Sequence, residues 1–297
     1  MKLRTLLAKH STDIALLVGN GVNLFGSSNE NSWNSLLAQL AREHLDSRFK
    51  NVPKGIAHTE FYDVLELAHA RTQGSPKLVA QFCALMASWK PMDQHRAIAR
   101  WAVNHEVPIL TTNFENTLGE AVGCTFRRSP NKKFTDFYPW ETYYAIADVI
   151  EPCSQFAIWH INGMQRYSRS IRLGLTHYMG SIARARGWLH NGTGRLLSNP
   201  TGRAWPGATT WLQVFFHKPI LVVGQGLPET EIFLRWLMIE RAKYFRLYPD
   251  LRKLAWFVHV KDDLPVGKDL FLRAVGFEPF PVASYEQLYE YRTWNGR

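Results

Sequence analysis

The chain has 297 residues, enough for one large α/β domain or two smaller ones, and 46% of them are hydrophobic against 20% charged. That balance supports a sizeable buried core and excludes a disordered polyampholyte. The formal net charge is +10, and the three cysteines, Cys83, Cys124 and Cys153, form no CxxC pair, which excludes a disulfide framework or a cysteine zinc site of the usual spacing.

The charge is unevenly spread. No Asp or Glu occurs between Glu151 and Glu229, while a basic run extends from Arg166 to Arg203 and on to Lys218. Such a segment suits a phosphate-bearing ligand, a nucleic acid or an acidic partner surface, and a solvated face accounts for it equally well. The apolar runs are of strand length, and charges interrupt the helical segments, so no membrane span is expected. The basic start lacks the long apolar core of a secretory signal, and a cytoplasmic protein is expected.

In chain order, Ile14 to Asn23 (IALLVGNGVN) reads as a buried strand running into a glycine-rich turn, with the next helix delayed by the polar stretch Ser27 to Asn34. Turns of this kind let backbone N–H groups approach a phosphate, and a plain tight βα turn has the same look. Residues 33–105 read as mostly helical, with apolar residues at helical spacing and breaks at Gly55 and Gly74-Ser75-Pro76. His58, His69 and His95 in this stretch read as surface or helix-packing residues. Val107 to Asn113 is the second strand, ending in Thr111-Thr112-Asn113-Phe114-Glu115, and Thr117 to Val122 starts a helix. Arg127 to Lys133 reads as a basic loop and Phe137 to Tyr144 as a packed aromatic cluster, although aromatics beside basic residues also stack bases. Phe156 to Gly163 (FAIWHING) is the third strand. A basic helix, Met179 to Leu189, and a Gly/Asn/Thr/Pro-rich loop, Asn191 to Pro206, follow. Trp211 to Phe216 is helical and feeds the strand Pro219 to Gly224, which ends in Gly224-Gln225-Gly226-Leu227. A helix from Glu229 to Tyr244, strands at Leu254 to Val260 and Phe277 to Val282, and a closing helix from Ser284 to Tyr291 complete the pattern.

Continuous apolar runs without polar alternation suit buried strands of a parallel sheet, and in such sheets ligands lie beyond the carboxyl ends of the strands. The polar ends GNGVN, TTNFE, HING and GQGL are therefore expected to converge on one crevice. In this order they resemble the sirtuin-like, silent-information-regulator-like superfamily of NAD-consuming domains. Gly19-Asn20-Gly21-Val22-Asn23 resembles its Gly-Ala-Gly-Ile-Ser turn, and Thr111 to Glu115 resembles Thr-Gln-Asn-Ile-Asp. His160 with Gly163 resembles the catalytic histidine and its glycine, and Gly224-Gln225-Gly226 the late turn near the adenosine ribose. The resemblance covers most of the chain outside residues 33–105. Departures are the missing four-cysteine zinc module, Thr112 in place of Gln, Glu115 in place of Asp, and Asn29 to Trp33 where an arginine-bearing segment stands in the family. These are similar to the divergent bacterial members that hydrolyse NAD in anti-phage defence.

The resemblance implies a single Rossmann-like parallel-sheet domain over residues 1–297 without a zinc module. Its core would be 11–32, 106–163 and 213–283, its helical cap 33–105 and its basic helix-loop segment 164–212. It implies an NAD+ glycohydrolase that needs no metal, with Asn113 and His160 catalytic. Gly19, Asn20, Gly21, Asn23, Thr111, Thr112, Glu115, Gly163, Gly224, Gln225 and Gly226 would meet NAD, Glu115 at the nicotinamide carboxamide. Other readings are a protein deacylase or ADP-ribosyltransferase, a non-catalytic NAD- or ADP-ribose-binding subunit, and a nucleic-acid-binding component resting on the basic segment alone. The sheet and cap leave no obvious sensor domain, so a homo-oligomer or a separately encoded partner such as an ATPase is expected. The chemistry is compatible with these residues. Cleaving the nicotinamide–ribose bond passes through an oxocarbenium-like state, and the departing nicotinamide already carries positive charge. What remains is a positioned water and a base, roles that suit an Asn and a His. Taken singly, Asn113 reads first as an Asx turn after a strand and His160 as a hydrogen-bonded core histidine; the site reading rests on the two together at matching strand ends.

Overall fold

The computed structural model describes residues 2–27, 31–70, 76–129, 138–199, 201 and 204–295. Parts of the expected turn at 27–34, the Gly74-Ser75 break, the basic loop beyond Ser129, Phe137 and Arg203 lie outside these residues.

The apolar runs become the central strands, because a strand covered on both faces gains from hydrophobic side chains at every position. They are β1 (Ala15–Val18), β2 (Ile109–Thr111), β5 (Ile158–His160) and β6 (Ile220–Val223), all fully buried. With β3 (Thr125–Arg128), β4 (Thr142–Ala145), β7 (Ala255–Val260) and β8 (Glu278–Val282) they form one eight-stranded sheet in the order β3-β4-β5-β2-β1-β6-β7-β8. The six strands from β5 to β8 are parallel. Taken alone they follow the order 3-2-1-4-5-6, which is that of a Rossmann-like fold, with its topological switch point between β1 and β6.

Two expectations are corrected at the sheet's edge. Arg127 and Arg128 are not loop but lie in β3, and the aromatic stretch ends in strand β4. Both run antiparallel, β3 on β4 and β4 on β5. The ladder overrides the polar look of β3, whose residues are only half-buried or exposed. The rest of the aromatic stretch packs as expected, Trp140 stacking on Trp211 at 5.6 Å and meeting Trp188 edge-on at 4.8 Å.

The helices are α1 (Leu3–Lys9), α2 (Gly21–Leu24), α3 (Trp33–His44), α4 (His58–Ala70), α5 (Pro76–Leu85), α6 (Asp93–Asn104), α7 (Thr117–Glu120), α8 (Leu175–His190), α9 (Trp211–His217), α10 (Ile232–Leu247), α11 (Val266–Ala274), α12 (Tyr285–Tyr289) and α13 (Tyr291–Trp294). Helix α2 corrects the expected delay: it starts inside the first glycine turn. Period-2 alternation sorts the strands' side chains between two layers. Leu17, Leu110, Trp159 and Val222 pack with α8, α9, α10 and α11. Leu16, Ile109, Ile158 and Leu221 pack with α1, α6, α7, α12 and α13.

The helices between residues 33 and 105 divide. Helix α6 belongs to the second layer through Ala97, Ile98, Trp101 and Ala102. Helices α3, α4 and α5, with Met86 just after α5, build a separate core that also takes in Phe114, three residues past β2, and Ile171 and Leu173 of the connection that follows β5. This cap therefore sits over the carboxyl end of the sheet. Its anchor is Phe114, with Trp33 at 5.1 Å and Phe82 at 5.8 Å. Among the described residues, no helix is long and apolar enough to cross a membrane.

Truncating the anchor should release the cap before the sheet. Phe114→Ala is expected to cost about 3–5 kcal/mol, the range for a buried phenylalanine. Amide protection in α3 to α5 should fall ahead of that in β1, β2 and β6. Uniform loss of protection across cap and sheet would show that the two do not open separately.

Candidate functional site

Register brings the strand ends level. Val18 pairs with Thr111 on one side and Val223 on the other, and Thr111 pairs with His160. The turns beyond these four residues therefore face one another across the switch point.

The first turn and the late turn touch backbone to backbone. Gly19 N–H donates to Val223 O at 2.9 Å and Gly21 N–H to Gly224 O at 2.8 Å. A methyl on Gly21 would stand 2.8 Å from Gly224 Cα and 2.9 Å from the Tyr289 hydroxyl, so only glycine admits this approach. Gly224 is left-handed at φ +65°, and there too a side chain would strike the Tyr289 hydroxyl. These contacts revise one expectation, because the Gly19 and Gly21 N–H groups already serve the sheet and are not spare donors for a phosphate.

At the ends of β2 and β5, His160 and Asn113 meet. His160 Nδ1 lies 2.7 Å from the Asn113 carbonyl. A carbonyl only accepts, so Nδ1 carries the proton and Nε2 presents a bare lone pair. Burial pushes the His160 pKa down to about 4, the bond to Asn113 opposing it, so the imidazole is neutral near pH 7. His160 Nε2 and both polar atoms of the Asn113 side-chain amide are buried and have no hydrogen-bond partner of normal geometry among the described residues. The Asn113 amide nevertheless lies close enough to Glu115 to help lower that carboxyl's pKa. Tyr144 packs edge-on against His160 at 5.5 Å.

Glu115 is drawn toward the first turn. Asn23 Nδ2 donates to Glu115 Oε1 at 3.0 Å, as does the Thr117 hydroxyl at 3.0 Å. Burial raises the carboxyl's pKa to about 7, and the bonds from Asn23, its own backbone N–H, Thr117 and Asn113 oppose the rise. Asn23 Nδ2 also donates to Asn20 Oδ1 at 2.8 Å, and Asn20 Nδ2 donates to Asn31 O at 2.9 Å.

The other expected residues divide. The Thr112 hydroxyl lies 3.4 Å from Gln225 Oε1 and joins the two turns. The Thr111 hydroxyl donates to Val18 O and accepts from Asn113 N–H, so it secures the strand end instead of facing a ligand. Gly163, left-handed at φ +101°, backs onto Ser170 and Ile171. Gly226 O accepts from Lys268 Nζ at 2.5 Å, on the far side of the late turn.

Sequence reading missed two participants. The Tyr289 hydroxyl, on α12, is buried against Gly21 and Gly224 without a hydrogen-bond partner among the described residues. His95 is not a surface residue: it is fully buried, and its Nε2 lies 2.9 Å from Asn23 Oδ1. Its neighbour Gln94 donates to Val22 O and Phe25 O. Nothing local in the helical pattern of 93–104 marks either contact. His69 is also buried, edge-on to His44 at 4.7 Å, and His58 is half-buried.

A surface cavity of about 600 Å³ lies elsewhere, lined by His190, Arg195, Lys243 and Arg246 among others. Helix α10 leaves the late turn and runs down the sheet, so its last turn lies at the opposite end from the strand termini. Glu240 already meets two of the cavity's polar side chains, His190 at 2.6 Å and Lys243 at 2.8 Å. The strand-end cluster is therefore the better candidate site, because its polar atoms converge and three are unpaired. Among the described residues no group of three His, Cys, Asp or Glu could hold a metal ion. No protein-family model and no curated protein matches the chain.

The depressed His160 pKa has a sign that can be checked. Unfolded, the imidazole takes up a proton near its ordinary value of 6.5; folded, it resists until about 4. The unfolded state thus binds more protons between these values. The stabilisation present above pH 6.5 is lost as pH falls toward 4. His160→Gln should remove one proton from this slope, about 1.4 kcal/mol per pH unit. Urea unfolding of both proteins at several pH values measures it, and equal slopes would place the His160 titration elsewhere.

Proposed function

We propose that the chain is an NAD+ glycohydrolase that yields nicotinamide and ADP-ribose. The observation that carries this reading is the joined pair at the ends of β2 and β5: His160 Nδ1 bound to the Asn113 carbonyl, with Nε2 bare and the Asn113 amide beside Glu115 without a hydrogen bond of normal geometry among the described residues. A neutral imidazole with a fixed tautomer accepts a proton from a ribose hydroxyl or from water. The Asn113 amide can orient that water without adding a charge to a site where positive charge develops on the sugar. Glu115, poised near neutrality, can meet a carboxamide as either donor or acceptor. The glycine turns contribute close backbone approach at the switch point.

The resemblance to NAD-hydrolysing bacterial sirtuin-like domains supports an NAD-depleting role in anti-phage defence. A second reading, a non-catalytic subunit that binds NAD or ADP-ribose, draws on the burial of His160 and Asn113, only 1% and 3% exposed beneath the cap. It predicts binding without turnover.

Asn113→Ala and His160→Ala should each lower NAD cleavage by ~10²–10⁴ while leaving the protein folded. Chromatographic measurement of NAD remaining and nicotinamide formed tests this. Near-normal turnover in either folded variant would remove the assignment.

Burial of the pair also implies that the cap must shift to admit substrate. We propose that contacts with further copies, or with a separately encoded partner such as an ATPase, supply that shift. Specific activity should then rise with concentration or on addition of the partner. Light scattering across a dilution series, run beside NAD turnover, decides it, and full activity in a strict monomer would refute the idea.

A further inference from the structure

Helix α6 opens with two side chains aimed at the first turn, and the second of these does more than hold it. Met92 N–H donates to His95 Nδ1 at 3.1 Å. A backbone N–H cannot accept, so Nδ1 is the bare nitrogen and Nε2 carries the proton. That Nε2–H points at Asn23 Oδ1, 2.9 Å away. The oxygen of Asn23 must therefore face His95, and its NH2 must face the other way, toward Asn20 Oδ1 at 2.8 Å and Glu115 Oε1 at 3.0 Å. A flipped amide would set NH2 against the His95 N–H and an oxygen against two other oxygens. The orientation, usually a matter of inference for an amide, is fixed here by a backbone donor two hydrogen bonds away, Met92 N–H acting through His95.

We propose that His95 is a positioning residue for this site: through its Nε2–H it locks the Asn23 amide in the orientation that donates to Glu115, and so sets the carboxyl's proton occupancy. Its catalytic consequence rests on the proposed NAD cleavage, whereas its effect on Glu115 does not. His95, Asn23 and Glu115 are all buried, at 0%, 1% and 5% exposure, so no water competes for these bonds. The groups that meet Glu115 are Asn23 of α2, Thr117 of α7, its own backbone N–H and Asn113 of the β2 turn. No charged side chain contributes, and the titratable groups that its amide partners touch are the two imidazoles, His95 behind Asn23 and His160 behind Asn113. Burial holds both neutral down to about 4, with Arg96 a minor cause at His95. The Asn23 donor is thus the largest force opposing burial at Glu115, and His95 holds the amide that presents it from the side opposite Asn20 and Glu115. His95 touches no substrate position; it acts at second hand, through Asn23.

The test separates the relay from a merely structural role. In ¹⁵N-histidine NMR of the unaltered protein, His95 should show the neutral Nε2–H tautomer and His160 the neutral Nδ1–H tautomer. An Nδ1–H tautomer at His95 overturns the proposal without any variant. Infrared titration of the Glu115 carboxyl, assigned by its loss in Glu115→Gln, gives the second readout. His95→Asn lacks a donor at the Nε2 position and should raise the midpoint by roughly one pH unit, the order expected for one lost hydrogen bond to a carboxylate. His95→Gln, which can place an N–H there, should restore it. The pH profile of NAD turnover should move in step in both variants. Equal midpoints in wild type and His95→Asn, or an equal shift in both variants, overturns the relay. A wild-type protein without turnover that still shows the shift and its rescue upholds the relay and removes the NAD reading instead.

Discussion

Two backbone hydrogen bonds, Gly19 N–H to Val223 O and Gly21 N–H to Gly224 O, fasten the turn after β1 to the end of β6. The site depends on this closure. It leaves no room for a side chain at Gly21, which meets Gly224 Cα directly. It also starts helix α2 at once, so that Val22 turns into the core and Asn23 turns toward the end of β2. Had the turn been looser, Asn23 and Glu115, 92 residues apart in sequence, would not share a hydrogen bond. The switch point of the parallel sheet is thus sealed at its floor by main chain, and polar side chains gather on one side of the seal.

Which side they gather on follows from strand parity. Val18, Thr111 and Val223 are in register, and their side chains share the face of Leu16, Ile109 and Leu221, each two residues earlier on the same strand, with Ile158 of β5 aligned with Ile109. His160 stands two residues after Ile158 and so projects into the layer that contains α6 and α7. Trp159, one residue earlier, projects into the opposite layer among the aromatics of α9 and α10. A one-residue slip of β5 would exchange the imidazole for the indole. The meeting of His95 and His160 with Asn23, Asn113 and Glu115 is in this sense a consequence of period-2 geometry combined with crossovers that lay α6 and α7 on that face.

Much of the sheet was legible because its central strands are buried on both faces, which leaves continuous apolar runs that little else in a sequence produces. That Asn113 and His160 stand near each other was expected from the resemblance, since both lie at the carboxyl ends of such runs. The edge pair was not legible. Thr125 to Arg128 is half-exposed and carries two arginines, and only its ladder with β4 makes it a strand. The role of Thr111 was misjudged because the sequence cannot show that its hydroxyl turns back to Val18 O. Nor could His95 be found. Its helix is amphipathic in the ordinary way, and its partner Asn23 lies 72 residues upstream. Such contacts exist only after crossovers have been chosen, and neither helical nor strand periodicity encodes them.

The unpaired atoms are the last piece of the argument. A buried polar atom left without a partner costs about 1–3 kcal/mol. His160 Nε2 is one such atom, and the Asn113 amide, beside Glu115 but without a hydrogen bond of normal geometry among the described residues, adds two more that are poorly satisfied. Beside them Asn20, Asn23, Glu115, Thr117, Gln94 and His95 are satisfied by one another or by main chain, while Asn116 Oδ1, Asn162 Oδ1 and the Tyr289 hydroxyl are also buried without a partner among the described residues. A sequence that leaves a group of buried polar atoms unsettled beyond its strand ends is locally inconsistent there, the pattern expected of a functional site. The aromatic core of the cap, Trp33 and Phe82 on Phe114, stands next to Asn113 in the chain. Its burial of apolar surface offsets the conflict beside it. The same residue step that joins Phe114 to Asn113 therefore couples cap closure to the exposure of the site, so that opening the cap to admit a ligand gives up apolar burial and relieves unpaired polar atoms in a single movement.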